Sequence, residues 1–235
     1  MAASLFDQFN VVRIIGGIIT NSSIMMLILF SVILIGSCSY KLIPTRLQAI
    51  QEIIYTHFLG LVKDSTANKG TQYFTLIVTL FTFIAGLNLL GLFPYVFTPT
   101  AHIVVTFGLS VSILIAVTIL GITQYRWNFA SMMMPSGAPL ILAPLLVLIE
   151  TLIYFSRALS LGVRLAANLS AGHLLFAIFA SFGFAMISNG MLVLSLAPIL
   201  VMVFITILEI AVALIQAYVF CLLTTIYIND SLNLH

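Results

Sequence analysis

The feature that most constrains this chain is a run of 56 residues, 70–125, without a single Asp, Glu, Lys or Arg. A helix that crosses a bilayer needs about 20 apolar residues, so this run is long enough for two crossings. Pro94 and Pro99 interrupt the run, which predicts one span over 73–93, a tight turn, and a second span over 103–124. Because the whole chain is 62% hydrophobic and only 6% charged, we predict an all-α polytopic membrane protein.

A shorter apolar run, 24–40, predicts an earlier span that the polar residues 20–23 can cap. The next segment, 41–72, carries several basic residues, whereas only Arg13 precedes the span. Basic loops tend to stay on the inner side of a membrane, so we expect this segment inside and the N-terminus outside. Its apolar residues at helical spacing indicate an amphipathic helix in the membrane interface or an ordinary connecting helix: Leu47, Ile50, Ile54, Phe58 and Leu61.

The C-terminal part contains two much longer apolar stretches, 144–188 and 191–228, separated by Asn189 and Gly190. As helices they would be roughly 55–65 Å long, about twice the ~30 Å thickness of the hydrocarbon layer. They therefore form a steeply tilted hairpin, or they bend at Gly162, Gly172, Gly183 and Pro198. The sequence predicts five segments: an outer N-terminal segment 1–23, a first span 24–40, an inner amphipathic segment 41–72, two further spans within 73–137, and a long hairpin 138–235.

Charged residues form a stripe on the first long helix. Glu150, Arg157 and Arg164 recur every seven residues, which places them within about 40° of one another, and Asn168 continues the stripe by one turn. A charge at the bilayer centre costs from about 2.5 to over 10 kcal/mol, so such residues usually face a partner or a water-filled path. Small residues occupy roughly the opposite face, where His173 also falls and where helices can pack closely: Ala158, Gly162, Ala166 and Ser170.

The second long helix carries a matching stripe. Glu209 and Gln216 are also seven residues apart, and Tyr227 and Asp230 extend the same side toward the C-terminus. Antiparallel folding at 189–190 predicts three levels from outside to inside: His173 with Glu209, Arg164 with Gln216, and Glu150 with Asp230.

These levels have the chemistry of a proton path. Imidazole and carboxyl groups can take up and release protons, whereas the guanidinium of Arg164 stays protonated. Arg164 can attract an anion and block a path, but it cannot relay a proton. We therefore expect two separate titratable clusters rather than one continuous wire, with a moving partner between them.

Several other classes of function are excluded. A net charge of +2 and scattered basic residues do not indicate nucleic-acid binding. Cys38 and Cys221 lie in separate apolar runs, which indicates buried thiols rather than a disulfide or metal pair. Only His173, among the four histidines, lies deep in a predicted span, so a haem site with paired ligands is not expected. We predict no metal and no cofactor, and the N-terminus has neither a signal-peptide nor an import-presequence pattern.

Three stretches carry a family resemblance: SLGVRLAANLSAGHLL at 160–175, LEIAVALIQAYVF at 208–220 and YINDSLNLH at 227–235. With these stretches and PSGAPL at 135–140, the chain resembles subunit a of the rotary F-type ATP synthase over essentially its whole length. Bacterial members of that family tend to exchange the histidine and the acidic residue between the two helices. The arrangement of His173 with Glu209 therefore resembles the mitochondrial form.

The resemblance implies a stator beside a rotating ring of c subunits, each with a membrane carboxylate. It also implies a peripheral stalk and other membrane-sector subunits as partners. The site would lie in the mitochondrial inner membrane, with the N-terminus toward the intermembrane space and the C-terminus toward the matrix. No G-x-x-x-x-G-K-[ST] motif occurs, so ATP chemistry is expected on other subunits and this chain is not expected to be an enzyme on its own.

The resemblance also implies residue roles. Arg164, supported by Gln216 and Asn168, would face the rotor carboxylate and separate two half-channels. The remaining roles divide by level: His173 and Glu209 in the outer half-channel, Glu150 and Asp230 in the inner one, and a structural or interfacial role for Arg157.

A proton-coupled secondary transporter is the alternative function, because it too places ionisable groups in the middle of the membrane. Such a transporter normally contains inverted repeats, and the sequence shows none. The two functions differ in one testable property. A transporter should be active alone, whereas a stator subunit should conduct usefully only beside its ring.

Overall fold

The computed structural model of the chain describes residues 9–15, 19–37, 44–66, 70–93, 96–126, 143–191 and 193–232. Within these ranges the chain forms six α-helices and a two-stranded antiparallel ribbon. The elements are β1 (Arg13–Ile15), β2 (Ile19–Thr20), α1 (Asn21–Ser37), α2 (Arg46–Thr66), α3 (Phe74–Gly91), α4 (Ile103–Tyr125), α5 (Ala143–Ser188) and α6 (Leu196–Leu232). Four helical stretches are long and apolar enough to cross a membrane: Thr71–Gly91, Ile103–Tyr125, Pro144–Ser188 and Leu196–Leu232. The predicted all-α polytopic fold is confirmed.

Helix α1 begins at the polar cap that the sequence indicated. The backbone N–H of Thr20 donates to Ser23 Oγ at 3.0 Å, and Ser23 Oγ donates to the Thr20 carbonyl at 2.8 Å. The side chain of the third helical residue thus satisfies a backbone donor before the helix, as in a capping box. Further along α1, Leu29 is buried against Gly86 of α3, where a Cβ would collide with its side chain. The end of the predicted span, 38–40, lies outside the described residues.

Helix α2 buries one narrow stripe. Phe58, Val62 and Thr66, four residues apart, are at most 2% exposed, and Thr66 Oγ1 donates to the Val62 carbonyl at 2.7 Å. Of the residues in the predicted apolar stripe, Phe58 is buried and Ile50 is 54% exposed. The position of α2 in the membrane interface stays a prediction.

Buried polar groups on α3 and α6 bond to neighbouring backbone. Asn88 is fully buried, and its Nδ2 donates to the Ala213 carbonyl at 3.3 Å, which is the helix-to-helix role expected of a buried asparagine. The thiol of Cys221 is also buried, with Sγ at 3.6 Å from the Ile77 carbonyl. The predicted buried thiol is confirmed for Cys221, whereas Cys38 lies outside the described residues.

Helices α5 and α6 are unbroken. Helix α5 runs for 46 residues through all three of its glycines, so the helix does not break at Gly162, Gly172 or Gly183, and a bend at these positions stays a prediction. Helix α6 begins at Leu196 rather than at Met191, which puts Pro198 in its first turn, where a missing N–H leaves no helical bond unmade. The steep tilt of the pair stays a prediction.

A Schellman motif ends α5 at the predicted turn. Gly190 has a φ of +76°, the left-handed conformation that glycine adopts without strain. Its N–H donates to the Ile187 carbonyl at 3.0 Å, and the Met191 N–H donates to the Met186 carbonyl at 3.1 Å. These two bonds satisfy carbonyls that the helix end leaves without partners.

The chain divides into two compact units, each made of three separate stretches. The first unit contains Met1–Cys38, Phe83–Val105 and Arg164–Ala217. The second unit contains Ser39–Thr82, Thr106–Val163 and Tyr218–His235. The predicted division into five consecutive segments stays a prediction.

Candidate functional site

In the first unit, the predicted middle level contains a side-chain hydrogen bond between the two long helices. Asn168 Nδ2 on α5 donates to Gln216 Oε1 on α6 at 3.2 Å. Gln216 is only 6% exposed, and its Nε2 is buried without a hydrogen-bond partner among the described residues. Arg164 lies one turn before Asn168 on the same face of α5. The two residues expected to support Arg164 are therefore bonded to each other, and their role toward Arg164 stays a prediction.

Arg164 and Asn168 lie on α5, which like α6 exposes many large apolar side chains in the first unit, and on α5 these side chains share the face of Arg164. Both residues are exposed. Large apolar side chains of the first unit are exposed on the same two helices: Leu175, Ile178, Phe182, Ile199, Leu200, Val203, Phe204, Ile207, Leu208, Ile210, Leu214 and Ile215. A charged group beside so much exposed apolar surface is costly in lipid, so this face has the character of a surface that meets a polar or charged partner.

His173 and Glu209, the two residues predicted for the outer level, both lie in the first unit. His173 Nε2 lies 3.1 Å from Thr98 Oγ1, and the ring of Phe9 approaches the imidazole edge-on at 6.5 Å between centroids. The Glu209 carboxylate lies against Gly172, so closely that a Cβ at Gly172 would collide with it. Glu209 Oε1 is buried and has no hydrogen-bond partner among the described residues. The carboxylate thus reaches the turn of α5 that carries His173.

In the second unit, the structure pairs Asp230 with Arg157. Arg157 Nη1 lies 3.1 Å from Asp230 Oδ2, and the guanidinium carbon lies 5.6 Å from the ring centroid of Tyr227. Both charged side chains are about 30% exposed, at 32% and 28%. Glu150, half-buried, lies on α5 about 10 Å from Arg157 along the helix axis, the rise of seven residues. Of the two residues expected at the inner level, Asp230 is thus paired with Arg157, to which the sequence gave only a structural or interfacial role.

The small-residue face of α5 is a packing face, as predicted. Ala158, Gly162 and Ala166 are buried. In the second unit, a Cβ at Gly162 would lie 3.0 Å from Phe107 Cα of α4. In the first unit, Ser170 Oγ donates to the Ala101 carbonyl at 2.9 Å.

Sequence reasoning missed the turn between α3 and α4. Thr98, Thr100 and Ala101 are at most 7% exposed, and Ala101 ends a short 3-10 helix, Pro99–Ala101. His102 is half-buried and stacks on Phe97 with ring centroids 5.2 Å apart. The two prolines marked a turn, but no periodicity in the turn indicated which of its residues would be buried.

A family model described as ATP synthase A chain matches residues 19–229. The chain belongs to the ATP synthase A chain family. The resemblance identified from the three C-terminal stretches is confirmed, and a family member with four apolar helices is a multi-pass membrane protein.

Relatives named ATP synthase subunit a match this family member from end to end. The protein of Metridium senile is 62% identical over 235 residues and that of Marchantia polymorpha is 41% identical over 252 residues, with 100% of both chains covered in each case. The protein of Pelagibacter ubique is 41% identical over 248 residues, again with both chains fully covered. These relatives are named as subunits, in keeping with the expectation that the chain is one component of a larger enzyme.

Proposed function

We propose that this chain is the proton-translocating stator subunit in the membrane sector of a rotary ATP synthase. One observation carries the proposal: Arg164 is exposed on an apolar face of α5, one turn from the Asn168–Gln216 hydrogen bond. A permanent cation in that position suits a partner that presents a carboxylate, and each c subunit of a rotor ring would present one. Arg164 would hold that carboxylate ionised as it arrives.

The outer half-channel would use His173 and Glu209. Both belong to the first unit, and the Glu209 carboxylate lies against the residue that precedes His173. A carboxyl group that reaches the turn carrying an imidazole can exchange protons with it, directly or through water. Protons would pass from this pair to the rotor carboxylate.

The inner half-channel would use Asp230 and Glu150 of the second unit. The guanidinium of Arg157 lies 3.1 Å from Asp230 Oδ2, and a proton bound to Asp230 would remove one of the two charges of this ion pair. Arg157 would therefore position Asp230 between proton transfers. This role is more specific than the structural one that the sequence suggested.

Arg164 would also keep the two half-channels apart. One proton that crosses the membrane is worth about 2.3 kcal/mol per 100 mV, and a direct path past Arg164 would dissipate that energy without turning the rotor. A side chain that stays protonated cannot relay a proton, so an arginine suits a separator better than any other residue type. Asn168 and Gln216 would orient it.

The partners and location follow from the same proposal. The exposed faces of α5 and α6 would meet the c ring, and other surfaces would contact the peripheral stalk, further membrane-sector subunits and lipid. The membrane would be the mitochondrial inner membrane, with the N-terminus toward the intermembrane space and the C-terminus toward the matrix. The 62% identity to the Metridium senile subunit a supports the location in the mitochondrial inner membrane.

The proposal is tested by proton flux in vesicles that carry the assembled complex with Arg164→Gln or Arg164→Ala. We expect assembly to persist and coupled pumping to vanish in both variants, with a passive leak wherever the two half-channels have joined. Arg126→Gln is the matched control, because it removes another exposed arginine, just after α4, that has no role in the proposed proton path, and it should leave pumping unchanged. Coupled transport at a near-native rate in Arg164→Gln would show that the stripe is structural.

A further inference from the structure

The turn between α3 and α4 is fixed to the face of α5 that carries His173. Ser170 Oγ donates to the Ala101 carbonyl at 2.9 Å, and Thr98 Oγ1 lies 3.1 Å from His173 Nε2. Ser170 and His173 are three residues apart on α5 and so share one face. The bond from Ser170 to Ala101 and the bond between His173 and Thr98 hold the same turn against α5. Together they fix the position of Thr98 relative to the imidazole.

The direction of the Thr98 hydroxyl follows from its second contact. Thr98 Oγ1 also lies 3.3 Å from the carbonyl of Gly91, the last residue of α3, where helix carbonyls have no partner within the helix. A carbonyl oxygen can only accept, and a threonine hydroxyl has only one hydrogen to donate. Both contacts are hydrogen bonds only if Thr98 donates to Gly91 and accepts from His173.

We propose that Thr98 is a positioning residue that holds His173 as the tautomer protonated at Nε2, so that Nδ1 is the nitrogen that takes up and releases the transported proton. In the other tautomer, Thr98 would have to donate to Nε2. The Gly91 carbonyl would then face a hydroxyl oxygen without a hydrogen between them, which leaves a buried acceptor unsatisfied.

This arrangement suits a group that repeatedly changes charge. The Nε2–H donates to Thr98 in the neutral ring and in the imidazolium alike, because both nitrogens of a charged imidazole are donors. The hydrogen bond therefore persists through the cycle, and only Nδ1 exchanges protons. The proton-path role of His173 rests on the proposed function, whereas the tautomer does not.

The tautomer is measured directly by nitrogen NMR of the assembled complex labelled with 15N-histidine, at a pH where the ring is neutral. The His173 signals are those that disappear in His173→Gln. We expect the Nε2–H tautomer in the native chain and in Thr98→Ser, and a mixture or the Nδ1–H tautomer in Thr98→Val. An Nδ1–H tautomer in the native chain, or an unchanged tautomer in Thr98→Val, would overturn the inference.

Proton transport per assembled complex gives an independent readout. Loss of one hydrogen bond shifts an equilibrium by roughly two- to tenfold, and we expect Thr98→Val to slow coupled pumping by that factor and Thr98→Ser to restore it. Thr100→Val is the matched control, because Thr100 is equally buried in the same turn and its Oγ1 has no hydrogen-bond partner among the described residues. Equal slowing in Thr98→Val and Thr100→Val would assign the effect to packing of the turn and overturn the role of Thr98.

The two proposals fail in different ways. If His173→Gln pumps normally, the proton-path role of His173 is wrong, even where the tautomer is as expected. If His173→Gln abolishes pumping while Thr98→Val changes neither tautomer nor rate, the proposed function stands and the positioning role of Thr98 is wrong.

Discussion

Gly172 is the residue whose size matters most to the proposed outer half-channel. A Cβ at this position would overlap the Glu209 carboxylate, which is the flexible end of its side chain. We therefore expect Gly172→Ala to leave the helices in place and to displace the carboxylate from the turn that carries His173. A positioned proton-transfer group raises the rate of its step by roughly 10²–10⁴-fold, so loss of transfer through Glu209 would slow that step by up to this factor. The loss is smaller where water bridges the gap. Coupled proton pumping should thus fall well below the native rate.

Gly183→Ala is the matched control for this prediction. Gly183 lies on the same helix, and a Cβ there would meet only Pro198 Cβ at 3.8 Å, an ordinary van der Waals contact. Both substitutions raise the helix propensity of α5 by the same amount, so the contribution of propensity cancels when the two variants are compared. Pumping is measured as the rate of vesicle acidification driven by ATP, normalised to the amount of assembled complex. Equal rates in the two variants would contradict a role for the Glu209 position.

The predictability of the site depended on how its residues are spaced along the chain. The hydrogen bond between Asn168 and Gln216 was not predicted, but the shared face of Arg164 and Asn168 could be, because the two residues are one helical turn apart. The Thr98–His173 contact could not, because Thr98 lies in a turn without periodicity and the two residues are 75 positions apart in sequence. The pairing of Arg157 with Asp230 required the rotation of α6 relative to α5, which a count of residues from the turn does not specify.

At the scale of helices, Gly162 sets the approach of α5 to α4. A Cβ there would lie 3.0 Å from Phe107 Cα and 3.1 Å from the Thr106 carbonyl oxygen, both backbone atoms that cannot move aside as a side-chain end can. Overpacking of this kind costs about 1–3 kcal/mol, so we expect Gly162→Ala to lower thermal stability and the yield of assembled complex. Gly108→Ala on α4 is the control, since a Cβ there meets nothing within 4 Å and should be neutral or stabilising.

The measurement for Gly162 is the temperature at which the purified complex loses subunit a, together with the yield of complex per membrane protein. A native yield and an unchanged transition in Gly162→Ala would mean that α4 and α5 can separate at little cost. Pumping per assembled complex should stay close to native in both variants, because neither position belongs to the proposed proton path. This separates the effect on packing from an effect on transport.

The helices themselves were largely predictable, and their ends were less so. The apolar run 144–188 gave the extent of α5 to within one residue, because a span is defined by hydropathy and the turn by Gly190. Whether the glycines would bend α5 could not be predicted, since helical glycine is tolerated wherever close packing offsets its lower propensity. Helix α6 starts late because Pro198 favours the first turn of a helix, a preference that hydropathy alone does not register.

At the scale of the whole chain, the proposed function requires that the path be incomplete without a partner. The titratable groups lie in separate units, His173 and Glu209 in the first and Asp230 and Glu150 in the second. Arg164 cannot relay protons between two sets of groups, so a carboxylate from outside the chain must carry each proton. We therefore expect the chain reconstituted alone in vesicles to give no potential-driven proton flux above that of empty vesicles.

The deciding comparison is the proton flux of vesicles with the chain alone against that of vesicles with the chain and the c ring of its own complex. In both, a potassium gradient imposes the membrane potential. Flux should appear only with the ring, and a protonophore added at the end shows that each set of vesicles held its potential.

If the chain alone matches the flux of the complete membrane sector, its proton path is continuous. The secondary-transporter function would then be favoured, because a transporter alone contains every group that its cycle needs. Flux that depends on the ring would instead support the stator function, since the moving carboxylate is the one component that this chain does not supply.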